Sequence, residues 1–186
     1  MAKTLFGGLL GGFAMYLIGF LFWGTPLNLL AFNHMEDGPS TALQASLAQT
    51  LTETGTGTYV VPAMGTAAGA VLYGKGPVAV VHFNSGGFPA MDTNSLVQGL
   101  ILALFTGVLI ALALGTVGAR VTDFASRARL AVLFALAGTV WTELGQPIFN
   151  HYGWVYWVYL FISDFVALSV AGLIVARWFL PKAGLR

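Results

Sequence analysis

The sequence contains no cysteine and very few charges. Without cysteine, the chain has no disulfide framework, no thiol redox chemistry and no cysteine-ligated zinc or iron–sulfur site. Only 8% of the 186 residues are charged, against about 25% in a typical soluble domain. The net charge of +1 gives no electrostatic reason to expect nucleic acid as a partner. The mean hydropathy of +0.80 is too apolar for a water-facing surface, so we expect lipid to be the main solvent.

Signatures of the common enzyme classes are missing from the sequence as well. It has no nucleophile elbow, phosphate-binding loop, zinc-protease helix or dinucleotide-binding fingerprint. No histidine lies deep in an apolar stretch, where it could ligate a haem inside a membrane. We therefore predict no cofactor, although a bound lipid is compatible with this composition.

The apolar residues fall into four long stretches that contain very few charges. A helix needs about 20 mostly apolar residues to cross a bilayer, and each stretch reaches that length. The stretches are residues 4–32, 94–119, 130–149 and 153–180. The first is longer than the apolar part of a signal peptide, which usually has about 7–15 residues, so we expect a permanent anchor. The sequence therefore predicts an all-α membrane protein, a bundle of four transmembrane helices.

The basic residues predict the orientation of these spans, because cytoplasmic loops of membrane proteins are enriched in lysine and arginine. Seven of the eight basic residues lie before span one, between spans two and three, or near the end of the chain: Lys3, Arg120, Arg127, Arg129, Arg177, Lys182 and Arg186. We expect the link 120–129, the tail 181–186 and both termini to be cytoplasmic. Residues 33–93 and the short link 150–152 then face outward.

The outward segment 33–93 has the pattern of a small α+β module. Leucines four residues apart predict a helix over residues 41–51, which Asp37 or Ser40 could cap. Two valine-rich runs predict the strands of a β-hairpin, residues 59–61 and 77–83. The stretch 64–73 between them is compatible with a loop, a strand or a helical turn. We expect the module to pack over the outer end of the bundle.

Six short segments spread over most of the chain form a pattern when they are taken together. They are Glu36-Asp37, Gly57-Thr-Tyr59-Val-Val-Pro62, Lys75-Gly-Pro77, Asn150-His-Tyr-Gly-Trp154, Ser163-Asp164 and Ala171-Gly172-Leu173. This pattern resembles a group of small, uncharacterised bacterial inner-membrane proteins with one span, an outer Gly-x-Tyr-x-x-Pro module and three further spans. The resemblance implies this architecture and a place in the cytoplasmic membrane of a bacterium. It implies no activity, because the group has none assigned.

Small residues recur at every fourth position of span two, and glycines recur in span one. They are Gly99, Ala103, Gly107, Ala111 and Gly115, with Gly7 and Gly11 in span one. Small residues at this spacing let helices approach closely in lipid, where packing rather than hydrophobicity holds helices together. We expect this ridge to pack within the bundle, and the alternative is that it docks another subunit or a second copy of the chain.

Two acidic residues, Asp164 and Glu143, interrupt the predicted spans. Asp164 lies about 15 Å deep in span four, near the midplane, whereas Glu143 lies near the outer end of span three. An acid at the midplane costs about 3 kcal/mol, so it faces the protein interior, pairs with a polar group or is protonated. The two acids could pair with each other, and their other candidate polar partners are Gln98, Thr106, Thr142, Tyr159 and Ser163. We interpret Asp164 first as a protonated group that hydrogen-bonds across helices, and alternatively as a proton or cation site.

Two further features lie near the predicted membrane surface: a helix end beside Glu143 and a candidate metal site. Gly145-Gln-Pro147 follows Glu143 and predicts a helix end, because proline lacks an amide donor. Histidine and carboxylate groups on the outer side could ligate a transition metal: His34, Glu36, His82 and His151. Their spacing is not specific for any metal, so we predict no metal site and treat these four as weak candidates.

These observations favour a non-enzymatic membrane protein, an accessory or assembly subunit of a membrane complex. Its predicted partners are the lipid bilayer and other membrane subunits or a second copy of the chain, and not nucleic acid. One alternative is a small proton- or cation-linked transporter that uses Glu143 and Asp164. Another is a membrane enzyme or lipid-binding protein with a site under the outer module.

Overall fold

The computed structural model describes residues 2–180, which form two compact units. The helical unit comprises residues 2–33 and 93–180, and the module comprises residues 34–92. The predicted cytoplasmic tail, residues 181–186, lies outside the described residues. In chain order the elements are α1 (Ala2–Trp23), a 3-10 helix (Pro26–Leu30), α2 (Asp37–Leu51), β1 (Gly57–Val61), α3 (Ala67–Lys75), β2 (Ala79–Phe83), α4 (Thr93–Val117), α5 (Phe124–Thr139), a first π-helical turn (Val140–Leu144), α6 (Gly145–Asn150), α7 (Trp154–Ile174) and a second π-helical turn (Val175–Phe179).

Within residues 2–180, four helical stretches are long and apolar enough to cross a membrane. They are Ala2–Trp23, Thr93–Val117, Phe124–Asn150 and Trp154–Phe179. The third combines α5, the first π turn and α6, and the fourth combines α7 and the second π turn. The chain is therefore mainly helical, with four segments whose length and composition fit a multi-pass membrane protein.

The first span is shorter than the predicted range 4–32. α1 ends at Trp23, and a separate 3-10 helix begins at Pro26. Proline has no amide hydrogen to continue the helical ladder, and the Thr25 hydroxyl accepts a hydrogen bond from the amide of Leu27 at 3.3 Å. The apolar residues after Trp23 therefore belong to a short capped turn and not to the long helix.

The third span differs from the predicted range 130–149 at its start and in its interior. α5 begins at Phe124, because the carboxylate of Asp123 accepts a hydrogen bond from the amide of Ser126 at 2.8 Å and caps the helix. Residues 124–129, predicted as part of a cytoplasmic link, are helical. The expected helix end near Gly145 is also wrong, since the chain passes through a π-helical turn and remains helical to Asn150.

The module contains a two-stranded antiparallel sheet, as the sequence predicts, but the connection is longer than that of a tight hairpin. Gly57 of β1 pairs with Phe83 of β2, and Val61 pairs with Ala79. The undecided stretch between the strands forms helix α3, whose first turn is capped by a hydrogen bond from the amide of Gly69 to the hydroxyl of Thr66 at 2.9 Å.

Helix α2 begins earlier than predicted and has a different N-terminus. It starts at Asp37, and the capping position is Glu36, which makes no side-chain capping hydrogen bond. The prediction that Asp37 or Ser40 caps this helix is therefore wrong. Pro39 fits inside the first turn because the amides there have no partner within the helix in any case.

In the helical unit, α1 lies between two neighbours. It packs along α4 on one side and along α7 on the other, and α7 in turn packs along α5. The buried residues at these contacts are mostly glycine, alanine and serine, which fits helix packing in lipid. Within the described part of the chain, the main packing partner of α5 is α7, with further contacts to the second π turn that continues it.

Candidate functional site

The middle of the small-residue ridge on α4 lies against α1. Ala103, Gly107 and Ala111 are buried, and the backbone of α1 at Gly8 and Gly12 runs directly over them. A Cβ atom added at Gly8 would lie 2.8 Å from the carbonyl oxygen of Gly107. The closest approach of two helices in this unit is therefore a contact between backbones, which requires glycine.

The two ends of the same ridge are looser. A Cβ atom at Gly99 would lie 3.8 Å from the ring of Tyr16, and one at Gly115 would lie 3.7 Å from the methyl group of Thr4. Both distances are ordinary van der Waals contacts. The five-residue ridge predicted from the sequence thus runs along one helix, but only its centre requires small residues.

The other predicted glycines, Gly7 and Gly11, face the fourth span. A Cβ atom at Gly11 would lie 2.9 Å from the carbonyl oxygen of Ala171, and one at Gly7 would overlap the side chain of Phe179. Because Gly8 and Gly12 face α4 while Gly7 and Gly11 face the fourth span, the paired glycines of α1 allow close packing against two neighbours at once.

Two of the predicted partners of Asp164 bond to α1 instead. The indole nitrogen of Trp23 donates a hydrogen bond to the hydroxyl of Ser163 at 3.0 Å. The hydroxyl of Tyr159 donates to the backbone carbonyl of Phe22 at 2.7 Å. These bonds satisfy polar groups at the end of α1 and fix α1 against α7, so Tyr159 and Ser163 serve the helix contact.

Of the remaining candidate partners, one bonds within its own helix, one bonds to Glu143 and one lies at the surface. The hydroxyl of Thr106 donates to the carbonyl of Leu102 in its own helix at 2.9 Å, and Gln98 is exposed. The hydroxyl of Thr142 is 3.0 Å from its neighbour Glu143 and 3.0 Å from the carbonyl of Gly138. None of the five predicted groups hydrogen-bonds to Asp164 within residues 2–180.

Glu143 lies in the first π-helical turn. Pro147 follows four residues later and is buried. In a regular α-helix the amide of residue 147 would bond to the carbonyl of Glu143, and proline cannot make that bond. The widened turn therefore occurs where the α-helical ladder is interrupted, and π-helical turns of this kind are frequent at functional sites.

The structure places Glu143 and Asp164 on two elements that pack together. The π turn that holds Glu143 packs against α7, and the charges of the two carboxyl groups are close enough to interact. Both residues are partly buried. Among the described residues, no lysine, arginine or histidine forms an ion pair with either carboxyl group. The arrangement is a pair of acids on neighbouring membrane helices without a compensating cation from residues 2–180.

Arg127 has a structural role that its use as a topology marker did not predict. Its side chain is only 3% exposed. The guanidinium donates hydrogen bonds to the carbonyls of Val121 at 2.7 Å and Gly118 at 2.9 Å. It thus binds the carbonyl groups that follow α4, and joins α4 to α5. The signal available in the sequence was an arginine one turn inside a helix that follows a Gly-containing link.

Asp123, in the link between α4 and α5, lies outside the spans and has a displaced pKa. The hydrogen bond from the Ser126 amide lowers the pKa of Asp123 below its ordinary value, and the neighbouring Arg127 acts in the same direction. The negative charge is favoured because it lies at the positive end of the α5 dipole.

The weak metal candidates do not form a cluster. Within residues 2–180, no group of three or more His, Cys, Asp or Glu side chains is placed to hold a metal ion. The ring nitrogen Nδ1 of His82 is instead 3.0 Å from the hydroxyl of Thr58, its partner across the sheet. That contact gives His82 a structural role in pairing the strands.

No protein family, curated protein or solved structure matches this chain in the three comparisons made. The resemblance to small bacterial membrane proteins therefore stays a prediction.

Proposed function

We propose that this chain is a small membrane protein that binds a proton or a cation at Glu143 and Asp164. The observation that carries the proposal is that these two acids lie on elements that pack together, with charges close enough to interact and without a cation from residues 2–180. The sequence favoured an accessory subunit because of its small-residue surfaces, its lack of catalytic motifs and its outer module. The proximity of the two acids supports the proton- or cation-linked alternative instead.

The physical reason is the cost of two like charges in a medium of low dielectric constant. Two carboxylates that share one site cannot both ionise readily, so one of them binds a proton or the pair binds a positive ion. Lipid offers no hydrogen bonds to either group. Acids inside a membrane span are rare and commonly mark ion pathways or proton relays.

Carbodiimide labelling tests this proposal directly. Dicyclohexylcarbodiimide enters membranes and reacts with protonated carboxyl groups in apolar surroundings. We expect mass spectrometry of the protein in liposomes to find the adduct at Asp164 or Glu143. The rate should fall as pH rises, or when a cation that binds the pair is added. Asp123, which is exposed and lies outside the spans, is the internal control.

Two variants complete this test. Asp164→Asn and Glu143→Gln each keep the size of the side chain but remove one negative charge. In either variant, an added cation should therefore no longer slow the reaction of the remaining acid with the carbodiimide. The proposal would be overturned if Asp164 and Glu143 were labelled no faster than Asp123, and if their labelling did not change with pH, Na⁺, K⁺ or Ca²⁺.

A second candidate function is the accessory subunit, in which the missing cation is a lysine or arginine on a partner helix. The packing of α5 favours it, because α7 is its one extended neighbour within residues 2–180. The same span exposes large apolar side chains, with Phe134 of α5 at 74% and Trp141 of the first π turn at 72%. Native purification from mild detergent tests this function. Wild type would come with a stoichiometric partner, and Asp164→Asn would lose it.

We further propose the finer architecture that the sequence predicts. The four spans would form a bundle in a bacterial cytoplasmic membrane, with both termini inside and the module outside. The supporting observation is that Lys3, Arg120, Arg129 and Arg177 share one predicted side, while Lys75 is the one basic residue of the module.

A further inference from the structure

Helix α3 of the module is apolar but exposed over nearly its whole surface. Its only buried residue is Gly69, while Val71 is 58% exposed and Leu72 is 52% exposed. Met64 before the helix and Val78 after it are also exposed. Clustered apolar side chains of this kind mark a surface that meets protein or membrane and not water.

The charges of the module are separated from α3. Residues 54–91 contain no aspartate or glutamate, and their single charged residue is Lys75 in the last turn of α3. The four acids of the module lie elsewhere: Glu36, Asp37, Glu53 and Asp92. A short helix of small and apolar residues that ends in Tyr73 and a lysine has the composition of helices at the boundary between headgroups and acyl chains. The lysine can extend its ammonium group towards lipid phosphates.

The module is joined at both of its ends to segments that contain candidate membrane spans. It begins at His34, shortly after α1, and ends at Asp92, next to α4, so both of its ends continue into helices that fit membrane spans. Phe88 and Met91, each 70% exposed, lie within five residues of the start of α4. Because the module is attached at both ends, the membrane surface is present near it at a high effective concentration. A soluble partner would have no such advantage.

We propose that α3 binds the lipid surface, with Val71 and Leu72 in the boundary between headgroups and acyl chains and Lys75 at the phosphates. α3 has nine residues, so it is too short to cross the bilayer and lies in its surface plane. The outer module is thereby a membrane-binding device in its own right, independent of the acid pair.

Spin labels can test this contact in the full-length protein, because the chain has no native cysteine. Leu72→Cys would carry the label on α3, and Gln49→Cys on α2 is the matched control at another exposed helical position. In lipid nanodiscs that contain one copy of the chain, we expect the label at residue 72 to collide with oxygen more often than with a water-soluble nickel complex. The ratio should be several-fold higher at residue 72 than at residue 49.

Two outcomes would overturn the proposal. A label at residue 72 that is as accessible to the nickel complex as the label at residue 49 would mean that α3 faces water. A label shielded from both oxygen and nickel would mean that protein covers α3. As a second measurement, Lys75→Glu should move the label at residue 72 away from bilayers that contain anionic lipid, and an unchanged depth would also contradict the proposed contact.

Discussion

Replacing Gly107 by alanine should destabilise the contact between α1 and α4. A Cβ atom at Gly107 would lie 2.5 Å from the backbone nitrogen and 2.6 Å from the Cα atom of Gly12, and would overlap the carbonyl oxygen of Gly8. All three obstacles are backbone atoms, so no side chain can rotate away to make room. One methyl group therefore forces two helices apart.

The expected cost is about 1–3 kcal/mol of unfolding free energy, the usual range for overpacking a tightly packed contact. Gly107→Leu, which is larger, should cost more. Gly138→Ala is the matched control, because a Cβ atom there would meet nothing within 4 Å. Alanine is favoured over glycine in a helix by about 0.5–1 kcal/mol, so the control should be neutral or slightly stabilising. The same glycine-to-alanine substitution should therefore lower the free energy of unfolding at Gly107, and leave it unchanged or raise it slightly at Gly138.

Thermal unfolding in detergent, followed by tryptophan fluorescence, would measure both variants beside the wild type. The reasoning is refuted if Gly107→Ala unfolds at the same temperature as Gly138→Ala. That result would mean that α4 does not approach α1 at Gly107, and that the ridge faces lipid or another chain.

Four further outcomes are expected from other parts of the chain. Asp164→Leu should leave the free energy of unfolding unchanged or raise it by up to about 3 kcal/mol, because it removes an acid with no hydrogen bond within residues 2–180. A clear loss of stability would show that the acid makes a stabilising bond in the membrane. Arg127→Met should lower the free energy of unfolding by about 2–4 kcal/mol, since it leaves buried carbonyls without their charged donor. Asp123 has a lowered pKa in the folded protein, so its charge stabilises the fold above the ordinary pKa and that contribution is lost as pH falls below about 4. Melting curves against pH should therefore show a smaller acid-induced decline for Asp123→Asn than for the wild type. Finally, single cysteines at Ser126 and Thr56 should react with an impermeant reagent from opposite sides of the membrane, and equal labelling in intact cells would contradict the four-span topology.

The number and approximate place of the spans could be predicted because they depend on the length of apolar stretches alone. Their ends depend on single residues that a hydropathy average ignores. Pro26 separates a 3-10 helix from α1, and Asp123 starts α5 before the apolar stretch begins. The spacing of Ala103, Gly107 and Ala111 predicted a close helix contact, but not that α1 is the helix that makes it.

The candidate site was harder to predict, because polar groups choose partners through three-dimensional geometry. Tyr159 and Ser163 are close to Asp164 in sequence, yet their hydroxyl groups bond to the end of α1. Arg127 was read as a marker of the cytoplasmic side, and burial of its guanidinium against backbone carbonyls could not be inferred from composition. Nothing in the spacing between Glu143 and Asp164 shows that they meet, because they lie on different helices.

The π-helical turn explains how Glu143 reaches the face of its helix that meets α7. In a regular α-helix each residue turns the chain by about 100°, so Ala131 and Pro147, sixteen positions apart, would point about 160° away from each other. Both residues are buried. One extra residue taken up in the wide turn Val140–Leu144 removes about 100° of that rotation and leaves about 60°. The turn therefore keeps the line from Ala131 through Glu143 to Pro147 directed towards the protein. Without it, the carboxyl group of Glu143 would turn away from α7, and its proximity to Asp164 would be lost.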